Sequence, residues 1–117
     1  MKRIKSMSVL AVSGGTPGQP AEGLTLSGNP RFMTNPLPND FIDVGVWEAT
    51  PGHHRVIRGK DFTECFYLVE GSVELSEEET GEAQVFGPGD MVIIEPEFVG
   101  TWKTLSPLRK VYFGLRG

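Results

Sequence analysis

Gly52-His53-His54-Arg55-Val56-Ile57-Arg58-Gly59-Lys60-Asp61-Phe62-Thr63-Glu64-Cys65-Phe66-Tyr67-Leu68-Val69-Glu70-Gly71, followed further on by Gly87-Pro88-Gly89-Asp90-Met91-Val92-Ile93-Ile94, is the stretch whose reading decides the fold. Short apolar runs lie between Gly and Pro turns, and Glu64 to Val69 alternates with a period of two. As a strand it puts Glu64, Phe66 and Leu68 on one face and Cys65, Tyr67 and Val69 on the other. Outward from this stretch the pattern repeats. Candidate strands are 42–49, 55–58, 64–69, 72–75, 82–86, 91–94, 101–105 and 110–113, spaced as in a sandwich or barrel. The run Glu77-Glu78-Glu79-Thr80-Gly81 sits between two of them and reads as a solvated hairpin loop ending in Gly. Nothing reads as helix. Eight short strands in a small domain predict an all-β jelly roll or small barrel, which closes or pairs its edges.

The chain has 117 residues, the size of one domain. It is 38% hydrophobic and 22% charged and has no run of about 18 apolar residues, so a disordered acidic tail and a helical membrane protein are excluded. The net charge is -4, divided into +2 over residues 1–40 and -6 over 41–117. Nucleic-acid binding rests on clustered Lys and Arg, so an acidic body points away from a nucleic-acid partner, and the composition gives no membrane partner. Cys65 is the single cysteine, which precludes an intrachain disulfide. The apolar stretch Met7–Val12 is shorter than a signal-peptide core, and the expected location is cytoplasmic.

From Ser13 to Asn39 the composition turns to Gly, Pro, Ser, Thr and Asn. Proline lacks an amide donor and biases its predecessor toward extended backbone. Residues 1–40 are therefore expected to form an irregular N-terminal arm, with a possible short strand at Ser8–Val12, and 41–117 the barrel. The arm is either loose, or lies along the body, or crosses to a partner subunit, with Leu24, Leu26, Phe32 and Met33 as anchors. Its apolar anchors and an exposed outer sheet face predict a homodimer.

The spacing from Gly52 through Arg58, Lys60 and Glu64 to Gly71, with the Gly-Asp turn ahead of Met91–Ile94, resembles the two sequence motifs of the cupin superfamily. Together with Val46–Gly52, Gly100-Thr101-Trp102 and Arg109–Tyr112, it is similar to the small-cupin family DUF861, also called cupin 3. The resemblance covers about residues 41–115 and implies an RmlC-like cupin jelly-roll barrel. In metal-dependent cupins the first motif supplies two His and a Glu, and the second a third His. Here the first two positions hold Arg58 and Lys60, or Ile57 and Gly59 in the alternative spacing; the third falls near Gly100, and no His follows residue 54. Of the ligand set the resemblance implies, only Glu64 remains. Arginine does not ligate metals and lysine seldom does, so no metal and no other cofactor is expected. His53 and His54 are adjacent, point to opposite faces of a strand, and read as exposed or edge residues beside the Pro51-Gly52 turn; the alternative joins one of them to Glu64 at a weak site.

If Glu64 faces inward, it either pairs with Arg58 or Lys60 as a plug in place of a metal, or leaves a surplus cation to accept a carboxylate or similar anion. Lys110 and Tyr112 share one strand face, and Trp102 shares the face of Gly100. The candidate ligand-binding set is thus Arg58, Lys60, Glu64, Trp102, Lys110 and Tyr112, with Trp102 filling the barrel and Lys110 at the rim as the alternative. Trp47 reads as core or interface. Three functions follow: a metal-free cupin binding a small polar or anionic molecule; a metal-dependent enzyme similar to ureidoglycine aminohydrolase; or a structural subunit with a plugged barrel. Whether the chain is an enzyme is left open.

Overall fold

The computed structural model describes residues 2–116, which are all-β: eleven strands in two antiparallel sheets, with no helix among the described residues. The strands are β1 (Thr16–Gly18), β2 (Thr25–Gly28), β3 (Phe32–Pro36), β4 (Asp43–Ala49), β5 (Gly52–Ile57), β6 (Phe62–Glu70), β7 (Val73–Glu77), β8 (Ala83–Phe86), β9 (Met91–Ile94), β10 (Val99–Thr104) and β11 (Leu108–Arg116). One sheet runs β1-β3-β4-β11-β6-β9 and the other β2-β5-β10-β7-β8, the two layers of a jelly roll. Each of the eight strands expected from Ile42 onward is present. Met91–Ile94 has the expected bounds, and the others differ from expectation by three residues or fewer at each end.

Alternation sets the layers. Glu64, Phe66 and Leu68 of β6 are buried, whereas Tyr67 is exposed and Cys65 and Val69 are half-buried. Between the sheets the core consists of Val56, Phe66, Leu68, Val73, Val92, Ile94, Trp102 and Leu108, against which Trp47, Leu75, Phe86, Phe98 and Tyr112 pack. The acidic run closes the β7–β8 hairpin as an exposed turn, with Gly81 at φ 75°.

The arm differs from expectation. Ser8–Val12 is a turn rather than a strand: the amides of Ala11 and Val12 donate to the Ser8 carbonyl at 3.2 and 2.9 Å. The strands of the arm lie later, and they join both layers, since β1 and β3 extend the first sheet while β2 pairs with β5 in the second. Their partners are distant in sequence, so a composition poor in local strand signals still finds its hydrogen bonds. The arm lies along the body. Arg109 Nη1 donates to the carbonyls of Val9 and Val12 at 2.9 and 3.0 Å, and the Gly15 backbone packs on Asn35. Of the four apolar anchors, Leu24, Phe32 and Met33 are half-buried on their own chain and Leu26 is exposed.

Candidate functional site

The register of the first sheet brings polar side chains onto its inner face. Tyr112 lies opposite Gly45 and Phe66, and Lys110 opposite Trp47 and Leu68; Gly114 stands between Asp43 and Glu64. From the second sheet, β5 and β10 place His54 opposite Trp102. Between the layers is a cavity of about 490 Å³, lined on the inner faces by Trp47, His54, Arg58, Glu64, Lys110 and Tyr112. Gln19, Pro20, Ala21 and Leu24, on the segment that crosses from β1 in one sheet to β2 in the other, also line it.

Glu64 is the centre of this site. Arg58 Nη2 donates to its Oε1 at 2.7 Å, and Lys110 Nζ donates to its Oε2 at 2.6 Å. Burial alone would raise the carboxyl pKa, but the Lys110 ammonium and the Arg58 guanidinium outweigh it and hold Glu64 below the usual carboxylate range. Lys110 is buried rather than at the rim. Its Nζ lies 4.4 Å from the Trp47 ring centroid, 4.7 Å from Phe66 and 4.5 Å from Trp102. Desolvation pulls its pKa down, while Glu64 opposes the fall. The ring faces also favour the charged form, as ammonium–π contacts do. The result is one carboxylate between two cations, one of them caged by three aromatic rings.

Around that triad the remaining residues divide. Trp102 is buried, donates its Nε1–H to Thr104 Oγ1 at 2.8 Å, and meets Trp47 edge-on with centroids 5.4 Å apart. Tyr112 lines the cavity half-buried, its phenol pKa raised by burial and by the carboxylates of Asp43 and Glu64. Lys60 takes no part in the triad: it is exposed in the turn before β6, and the second cation on Glu64 is Lys110.

Two residues outside the expected set belong to the site. Trp47 forms a wall and one face of the cage around Lys110. His54, read from sequence as exposed or edge, is buried against Phe32 of the arm with ring centroids 5.2 Å apart, and its Nδ1 has no hydrogen-bond partner. Burial, with the positive charge of Arg58 next, lowers its pKa to about 4, so the imidazole is neutral at pH 7. His53 faces the other way and is half-buried, as adjacent strand positions require. The signal for His54 was its parity with Val56, an inner-face residue of the same strand.

The donors present do not fit a divalent metal. Among the described residues no three His, Cys, Asp or Glu side chains converge. Glu64 is committed to two cations. At Gly100, where the resemblance puts a third histidine, an added Cβ would run into the Ser76 carbonyl oxygen, so no side chain is accommodated there.

The sequence profile of the EutQ-like cupin domain matches residues 37–112. No curated protein matches the chain. Among solved structures, a protein of unknown function of the DUF861 family from Pseudomonas syringae is 28% identical with a TM-score of 0.78, covering 92% of this chain and 46% of its own. A DUF861 protein from Thermotoga maritima is 31% identical with a TM-score of 0.51, covering 57% of this chain and 73% of its own. The EutQ protein of Clostridium difficile shares the fold at 13% identity and TM-score 0.64, over 75% of this chain and 64% of its own. This chain thus spans less than half the length of the Pseudomonas protein.

Proposed function

Because the chain belongs to the EutQ-like cupin family and the jelly-roll fold as such hosts unrelated activities, its function has to be argued from the site, and we propose that it is a metal-independent cupin binding a small monoanionic molecule. The observation that carries this reading is the charge count at the buried triad: two cations, Arg58 and Lys110, on one carboxylate, Glu64, while of the other charged groups in the lining Asp43 is exposed and Arg55 is paired with Glu78. With His54 neutral, the deep part of the cavity carries one surplus positive charge. Lys110 is enclosed and serves as the fixed internal cation. Arg58 is partly exposed and spends one N–H on Glu64, leaving part of its donor fork for a carboxylate. Trp47, Trp102 and Phe32 supply apolar wall, and Tyr112 and His54 supply polar contacts, the make-up of a small-ligand pocket.

A plugged structural barrel predicts no ligand effect. A metal-dependent enzyme similar to ureidoglycine aminohydrolase predicts bound metal. The test uses protein purified without chelator or added metal, analysed for elements and then followed by thermal unfolding with millimolar acetate, pyruvate or benzoate and with the corresponding amides. The expected result is no stoichiometric transition metal, a rise in melting temperature with at least one carboxylate but not its amide, and loss of that rise in Arg58→Gln. One metal ion per chain, no response to any of the carboxylates, or a response that survives in Arg58→Gln would overturn the proposal.

A further inference from the structure

Among the described residues, three buried polar or charged side chains line the cavity, and the protein pairs two of them: Lys110 donates to Glu64. The third is His54. It is only 9% exposed, yet its Nδ1 has no hydrogen-bond partner, and the bonds of its cavity neighbours, Arg58 to Glu64 and Trp102 to Thr104, leave the imidazole out. Folded proteins seldom enclose such a group unpartnered, because it has lost its water without gaining a bond. The contrast within the site is direct. Trp102 stands opposite His54 in the β5–β10 pair and has its ring N–H satisfied by Thr104, whereas the ring packed on His54, Phe32, brings no polar atom. A neutral imidazole carries one N–H donor and one bare nitrogen, and which is which is set by what the ring bonds. With Nδ1 unpartnered, nothing at that nitrogen sets it.

Building on the carboxylate-binding reading of the same cavity, we propose that His54 is its specificity-determining residue and that the ligand is a hydroxy acid: Arg58 takes the carboxylate, and the imidazole takes a hydroxyl of the same molecule. The order of groups along the wall fits such a molecule. His54 and Val56 of β5 and Arg58 just beyond it are alternate residues, and all three line the cavity, so the wall reads imidazole, apolar side chain, guanidinium. That sequence matches a hydroxyl, a carbon chain and a carboxylate. A hydroxyl both donates and accepts, so it pairs with the ring in either tautomer. An ammonium in its place is disfavoured. Arg58 and Lys110 already oppose a proton on His54, and a ligand ammonium at the ring would stand in the same positive potential. Asp43, the lining carboxylate outside the triad, is exposed and belongs to β4, in the sheet opposite that of β5. A wholly apolar tail would leave the imidazole as unpartnered as before.

The test is an NMR titration of the 15N-labelled full chain at pH 7.5 with butyrate, with the three hydroxybutyrates and with the three aminobutyrates, following the imidazole nitrogens as well as the affinity. At least one hydroxybutyrate is expected to bind about 2- to 10-fold tighter than butyrate, the effect of one hydrogen bond, and no aminobutyrate tighter than butyrate. The same hydroxybutyrate should move the ring nitrogens of His54 more than butyrate does, and leave those of His53, on the other face of the strand, in place. In His54→Phe the ratio of the two affinities should fall to about one. Butyrate binding with no gain from any hydroxyl, a gain that persists in His54→Phe, or an aminobutyrate that binds tightest overturns the inference while the carboxylate reading stands. Failure of every acid to bind overturns both. Should His54→Phe not fold, the wild-type shifts decide: a gain from the hydroxyl without movement of the His54 nitrogens places the hydroxyl elsewhere and overturns the assignment.

Discussion

Lowering the pH from 7.5 to 4 should destabilise the protein through His54. The folded state holds this imidazole near pKa 4, against 6.5 for the free side chain, because burial and the neighbouring Arg58 disfavour the imidazolium. The folded pKa is the lower one, so between these values the unfolded chain binds the extra proton, and stability rises with pH across that window. The contribution of His54 is full above pH 6.5 and is lost as pH falls toward 4. From the two pKa values the loss is about 2 kcal/mol at pH 5 and about 3 kcal/mol at pH 4. Glu64 does not confuse the measurement in the upper part of the window. Its own pKa is depressed, so its contribution is present above the normal carboxylate pKa of 4.5 and is lost only below it. The assay is urea unfolding at half-unit pH steps for the wild type and His54→Phe, a flat apolar ring of similar size. The difference between the two should decline by about 2 kcal/mol from pH 7.5 to 5. Proton NMR of the imidazoles provides the direct check: His54 should hold its neutral shift to below pH 5. A His54 midpoint near 6.5, or parallel pH profiles for the two proteins, would refute the claim that this side chain is buried in a positive environment.

Three further outcomes follow from the geometry. Glu64→Gln leaves the Lys110 ammonium buried without its counter-charge and should cost about 3 to 5 kcal/mol, more than Lys110→Met, which leaves Glu64 its bond to Arg58; chemical denaturation of the two variants gives the order, and equal or reversed losses would contradict it. Thr104→Val removes the acceptor of the buried Trp102 Nε1–H and should cost about 1 to 3 kcal/mol by the same assay, with a shift in tryptophan emission. Gly100→Ala sets a methyl against the Ser76 carbonyl in the β10–β7 pair, and soluble yield and circular dichroism should show loss of the native fold; a variant of wild-type stability would mean that the strands can separate there at little cost.

The two layers were legible because the strands carry a period of two and because Gly and Pro mark their ends. The same rule put Glu64 on one face with Phe66 and Leu68, and Lys110 on one face with Tyr112; which face is inward was implied by the family resemblance rather than by the spacing. What spacing did not specify was which charges meet. Arg58 and Lys60 are both close to Glu64 in sequence, yet Lys60, three residues past the end of β5, is turned out to solvent, while Lys110 reaches Glu64 from 46 residues away because β11 is the neighbour of β6. His54 was misread for a related reason. Beside a Pro-Gly turn a histidine looks like an edge residue, and only Phe32, from an arm whose composition gives little strand signal, buries it.

The placement of Lys110 bears on how the barrel holds a buried carboxylate where, among the described residues, no three metal-ligating side chains converge. A lone buried carboxylate would shed its charge by taking up a proton; two cations on separate oxygens keep it ionised. Arg58 follows β5 of one sheet, while Lys110 and Glu64 belong to the other, so the triad ties the two layers at one point. The three rings around Nζ let the second cation be buried at a cost that an aliphatic cage would not offset. Arg58 completes the tie from the partly exposed side, where its remaining donors meet the cavity. On this arrangement, cohesion and the surplus positive charge have the same source, and a substitution that neutralises Arg58 weakens the one and removes the other.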